Sequence, residues 1–125
     1  MEKNLSEYIS LSKNIDELKF DKKIKVAILS SFTLNGLDET LHVKTSELGI
    51  RYQSYVSGYN QYNQEFLDPK SNLYDFSPDI TFLILDIRNF FGDIHFPYNL
   101  SDSERKLLFK EKLEQLKNLI SIFEN

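Results

Sequence analysis

A chain of 125 residues with 41% hydrophobic and 27% charged side chains and a net charge of −4 is one domain by length, with enough apolar residues for a core. The absence of cysteine removes disulfides, thiolate catalysis and Cys-ligated zinc, no apolar run approaches the roughly 20 residues of a membrane span, and no Lys/Arg block offers the basic footprint of a nucleic-acid binder. The start Met1-Glu2-Lys3-Asn4-Leu5-Ser6 lacks a signal-peptide core, so a cytoplasmic location is expected.

Residues 4–18 read as a helix. Asn4 is placed to cap it, Glu7 completes a capping box, and Leu5, Tyr8, Ile9, Ile15 and Leu18 give an imperfect apolar stripe. This helical extension over 1–22 leads to a first strand at 24–30. Lys25-Val26-Ala27-Ile28-Leu29-Ser30-Ser31-Phe32-Thr33 is a short apolar run ending in three hydroxyls, as in a buried parallel strand that delivers a polar turn to a helix. Leu34, Leu37, Leu41 and Leu48 then recur at helical spacing, with Ser31 or Thr33 as N-cap and Gly49 as the C′ residue. Gly36 inside this helix costs about 1 kcal/mol relative to Ala; close packing of the first turn on the sheet would account for it.

Residues 50–56 read as a second strand. Tyr52, Tyr55, Tyr59, Tyr62 and Phe66 also fall at 3-4-3-4 spacing, as on one helix face, but Gly58 and its weak helix-forming neighbours disfavour a continuous helix. A strand, a loop at 57–60 and a helix at 61–67 fit better. Asp68-Pro69 ends that helix, and 71–76 forms another short helical turn. Ile80-Thr81-Phe82-Leu83-Ile84-Leu85 is a strand apolar on nearly every residue, so both its faces should be covered. A loop runs over 86–100. Ser101 and Glu104 form a capping box for a last helix at 102–123, with a stripe of Phe109, Leu113, Leu116, Ile120 and Phe123, widened by Leu108 and Leu119.

Helices alternating with three strands imply an α/β fold: a three-layer αβα sandwich around a small parallel sheet, ordered 2-1-3, with right-handed crossovers. The turns at 30–33, 57–60 and 86–90 then share one edge of the sheet, where ligands of open α/β folds sit, and Ser31 meets Asp86 at a common rim. A three-stranded sheet is small, which suggests a part of a larger protein, or pairing with another chain.

Ser30, Ser31 and Thr33 could bind a ligand or anion with Asp86, Arg88 and Asn89, or could only cap the helix. Catalysis by Ser31 would need a base and an oxyanion hole. Asp93 and His95 resemble a base pair but fit a solvated loop better, and His42 reads as surface. Tyr59, Asn60, Gln61 and Tyr62 combine aromatic rings with carboxamides, which suits a partner surface; packing over the sheet edge is the plainer reading. With two His, no Cys and no recurring acidic spacing, neither a metal nor a cofactor is expected.

Three phrases carry a resemblance: 24–33 with Leu48-Gly49-Ile50 and Tyr55; Tyr59-Asn60-Gln61-Tyr62 with Glu65-Phe66-Leu67-Asp68-Pro69 and Ser71-Asn72-Leu73-Tyr74; and Phe76-Ser77-Pro78-Asp79-Ile80 running into Leu85-Asp86-Ile87-Arg88. In order and spacing, over about half the chain, they resemble the N-terminal region of FkbH-like proteins. In that family an SGNH-hydrolase-like α/β domain precedes a haloacid-dehalogenase (HAD) domain. The resemblance implies an SGNH/flavodoxin-like fold and an accessory role in secondary metabolite biosynthesis, binding a carrier protein or a companion HAD domain. It does not carry over HAD chemistry, because Leu85-Asp86-Ile87-Arg88-Asn89 lacks the second Asp and the Thr of Asp-x-Asp-x-Thr. Ser31 falls at the SGNH nucleophile position. The Gly-x-Asn-Asp block and the Asp-x-x-His are missing, since Asp93 and His95 are separated by one residue. An SGNH-type ester hydrolase and a small anion-binding flavodoxin-like module are the alternatives.

Overall fold

Val26, Ala27, Ile28 and Leu29 alternate across a central strand, and each is buried, from 0 to 4% exposed. That strand, β1 (Lys22–Ser30), pairs in parallel with β2 (Ile50–Val56) on one side and β3 (Ile80–Ile84) on the other, giving the order β2-β1-β3. The computed structural model describes residues 2–91 and 100–124, apart from the side chains of Glu17, Asn89 and Phe91.

The two faces of β1 belong to separate clusters, because successive side chains of a strand point opposite ways. Val26 and Ile28 join Tyr52 of β2 beneath Leu34, Leu37 and Leu41. The latter two lie on α2 (Leu37–Glu47), against which α1 (Leu5–Ser12) packs. Ala27 and Leu29 join Tyr62 and Phe66 of α3 (Tyr62–Leu67), Leu73 of α4 (Asn72–Phe76) and Leu119 of the long α6 (Asp102–Glu124). A short α5 (Ile87–Phe91) follows β3. No helix among the described residues is long and apolar enough to cross a membrane.

The expected strand order and parallel sense are realised, and so are both capping boxes. Glu7 N–H donates to Asn4 Oδ1 (3.0 Å) and Asn4 N–H to Glu7 Oε2 (2.7 Å); Ser101 and Glu104 repeat the arrangement. Several boundaries differ. The first helix stops at Ser12, and only a 3₁₀ turn at Glu17–Lys19 follows, where Asp16 accepts the Leu18 N–H; Leu18 is 87% exposed, so the stripe lacked an apolar anchor at its far end. β1 begins at Lys22, two residues before the expected start.

The second helix starts only at Leu37. Its N-cap is Gly36 in the left-handed region (φ 84°), so neither Ser31 nor Thr33 caps it. The glycine is needed there for an approach to α1, not to the sheet: a Cβ at Gly36 would stand 2.0 Å from Leu5 Cδ1. Gly49 (φ 73°) is the C′ residue as expected. The presumed loop after β3 opens with α5. Residues 92–99, with Asp93 and His95, lie outside the described residues.

Two faces expected to be covered are open. On β3, Ile80 and Phe82 remain 44% and 41% exposed, because α2 lies over β1 and β2 with α1 packed against it, and no helix among the described residues covers this edge strand on that side. On α6 the packed row is Leu108, Leu116, Leu119 and Phe123, whereas Phe109, Leu113 and Ile120 of the expected stripe are 45, 51 and 44% exposed.

Candidate functional site at the carboxyl end of the sheet

Parallel strands deliver their carboxyl ends to one side, so the turns after β1, β2 and β3 converge. Backbone and side-chain hydrogen bonds lock them together. Ser30 O accepts from Asn60 N–H (3.2 Å), tying the first turn to the second. Ser31 N–H donates to Ile84 O (3.1 Å), and Ser31 Oγ accepts from Asp86 N–H (2.7 Å), tying the first turn to the third. Ser30 Oγ turns back to donate to Phe32 O.

Ser31 is the most enclosed polar residue of the rim, at 0% exposure. Its hydroxyl oxygen continues the β1–β3 ladder by one bond after the regular strand has ended. Asp86 is half-buried, and its carboxylate faces its own helix: Oδ1 accepts from Arg88 N–H (2.7 Å) while Asp86 O accepts from Phe90 N–H (3.0 Å), which starts α5. The Thr33 and Arg88 side chains are exposed, and Asn89 stands in α5. The structure thus brings Ser30, Ser31 and Asp86 together in a clamp, with Thr33 and Arg88 at its outer margin.

The tyrosine–carboxamide run divides. Tyr59 is 65% exposed, Asn60 sits in the left-handed region (φ 53°) and Gln61 is exposed. Tyr62 is instead buried at 6% beside Phe66, because the first residue of α3 faces the core, one helical turn from Phe66. The surface this run offers is therefore Tyr59, Asn60 and Gln61. His42 is half-buried with its ring stacked on Tyr52 at 5.4 Å, which gives the expected surface histidine a packing role.

A polar network behind the rim was invisible in the sequence. Tyr55 OH donates to Glu65 Oε1 (2.6 Å), Leu73 N–H donates to Glu65 Oε2 (3.2 Å) and Ser71 Oγ donates to Glu65 O (2.7 Å). Glu65 thereby fastens α3 and α4 to β2. Burial first, and then this hydrogen bond, push the Tyr55 phenol up to about 12. Burial also raises Tyr52, whose hydroxyl donates to Asp38 Oδ1 (2.7 Å). Among the described residues no three His, Cys, Asp or Glu side chains group as metal ligands. Away from the rim, a groove of about 450 Å³ lies between β3 and α6, lined by Thr81, Leu83, Leu85, Leu116, Ile120 and Phe123.

No family model and no curated protein matches the sequence. In fold, the chain is similar to the N-terminal part of the protein BF1531 from Bacteroides fragilis, whose crystal structure contains a phosphatase domain complexed with Mg. The TM-score is 0.75 at 19% identity over 94% of this chain. The chain spans 30% of the length of that neighbour. The likeness establishes the fold: an α/β sandwich with three parallel strands.

Proposed function

We propose that this chain is a non-catalytic accessory domain, like the one that precedes the HAD domain in FkbH-like proteins. In this reading it docks a companion HAD-type phosphatase domain or a carrier protein in the cytoplasm, through Tyr59, Asn60 and Gln61. The observation that carries the reading is the use made of Ser31. A nucleophile must reach its substrate, and this hydroxyl is sealed from solvent with its oxygen holding the Asp86 amide. The strand end Leu85-Asp86-Ile87 lacks the phosphatase signature, and its carboxylate is engaged in starting α5.

The rim segment has the properties a docking surface needs. An exposed aromatic ring and carboxamides stand on a loop held by the Asn60–Ser30 bond, so little ordering entropy remains to be lost on binding. Following the amide resonances of the isotope-labelled chain tests this. A HAD phosphatase domain with an intact Asp-x-Asp-x-Thr strand end is titrated in, and separately a loaded acyl carrier protein. Saturable shifts centred on residues 57–61 with one of them, lost in Tyr59→Ala, are expected. No saturable shift with either protein contradicts the reading.

A further inference from the structure

We infer that the bare edge of β3 is a self-association surface, on which a second copy of this chain docks across a two-fold axis to form a continuous six-stranded sheet. Ile84 O accepts from Ser31 N–H, so Ile84 and, by alternation, Phe82 and Ile80 direct their backbone groups at β1. The N–H and C=O groups of Thr81 and Leu83 then point outward, and no strand among the described residues pairs with them. An unpaired edge invites another strand unless charge, proline or a bulge blocks it. Ile80-Thr81-Phe82-Leu83-Ile84 carries neither charge nor proline.

The edge is self-complementary. An antiparallel pairing centred on Phe82 sets Thr81 opposite the second copy's Leu83 and Leu83 opposite its Thr81, and both are the outward-directed residues. Phe82 faces its own equivalent as the closer, non-hydrogen-bonded pair, with Ile80 opposite Ile84 on the same face. Such a contact is isologous and closes on itself as a dimer. The open row of α6, Phe109, Leu113 and Ile120, runs on the groove side of β3, since Ile120 lines the groove with Thr81 and Leu83. A two-fold axis at Phe82 brings this row toward its counterpart.

The area is of the right size. Ile80, Phe82, Phe109, Leu113 and Ile120 are 41–51% exposed. At roughly 200 Å² for a fully exposed large apolar side chain they present about 450 Å² per copy. The pair therefore approaches the ~1,000 Å² that a specific interface clears, before the strand backbone is counted.

Sedimentation equilibrium of the full chain over a wide concentration range, with amide hydrogen exchange at both ends of it, tests the inference. The wild type should be a dimer at high concentration, with the Thr81 and Leu83 amides protected there and exchanging on dilution. Phe82→Lys, which opposes two like charges at the centre, should weaken the dimer on the order of 100-fold. Ile80→Lys is the second variant, and circular dichroism checks that each remains folded. A wild type that stays monomeric throughout overturns the inference and leaves the edge to a strand of another polypeptide. A dimer that survives in both folded variants, or that leaves the Thr81 and Leu83 amides unprotected, overturns it as well.

Discussion

Ser31 and Asp86, 55 residues apart in sequence, are joined where two parallel strands end: the Asp86 N–H donates to Ser31 Oγ over 2.7 Å. The bond lies where the backbone ladder between β1 and β3 stops, and it replaces the carbonyl that a longer strand would have supplied. Asp86 is thereby held so that its own carboxylate can receive the Arg88 amide and start α5. A serine at a strand end can mark a nucleophile or a clamp, and the full burial of this one is the observation on which the proposed clamp rests. The hydroxyl is inside, and the ring and amides offered to solvent belong to Tyr59, Asn60 and Gln61.

Gly36 and Gly49 both have positive φ but differ in their surroundings. Nothing lies within 4 Å of a Cβ built on Gly49, whereas one on Gly36 meets Leu5 at 2.0 Å. Gly49→Ala should cost about 1 kcal/mol for the left-handed backbone alone. Gly36→Ala should cost about 2 kcal/mol or more, because Leu5 must swing away from α2. In urea unfolding, adding Leu5→Ala to Gly36→Ala should cost less than the two single changes summed.

Thr81 is expected to be improvable. Its Oγ1 is buried and finds no hydrogen-bond partner among the described residues. Thr81→Val keeps the β-branched shape and removes the unsatisfied hydroxyl, so it should stabilise the fold by about 1 kcal/mol, read as a higher urea midpoint with unchanged slope.

The raised phenols set an alkaline limit. Burial pushes the Tyr55 phenol up to about 12, and Tyr52, Tyr62 and Tyr74 are raised as well, chiefly by burial. In the unfolded chain these groups lose their protons near pH 10. The folded state is then the one that holds more protons, so its stability is full below about pH 10 and is lost as pH rises toward 12. Unfolding midpoints measured across that window should fall in the wild type. In Tyr55→Phe they should fall less steeply, from a lower starting stability.

The sequence carried the sheet because its signals are local. Val26 to Leu29 is apolar throughout, with β-branched Val26 and Ile28, and Asn4/Glu7 and Ser101/Glu104 are complete capping boxes. The meeting of Ser31 with Asp86 followed from strand order alone. What escaped notice depends on neighbours distant in sequence. Two apolar rows run side by side along α6, and packing against α3 and the cluster around Phe66 and Leu73 selects Leu119 and Phe123 over Leu113 and Phe109 for burial. The continuous apolar run of β3 pointed to cover on both faces, but on the face of Ile80 and Phe82 the helix α2 lies over β1 and β2 instead. Tyr62 belonged to an apparent surface run until α3 turned it inward. Glu65 had no pattern to announce it, since its partners come from Tyr55 on β2 and from Ser71 and Leu73 at the start of α4.

The role of Ser31 is tested most directly by Ser31→Ala, with unfolding free energy and hydrolysis of an activated ester measured on the same preparation. Removing the acceptor leaves the partly buried Asp86 N–H without its Ser31 partner, so stability should fall by about 1–3 kcal/mol while any ester turnover stays at the wild-type level. Unchanged stability together with loss of a wild-type esterase activity would contradict the clamp and make Ser31 a nucleophile.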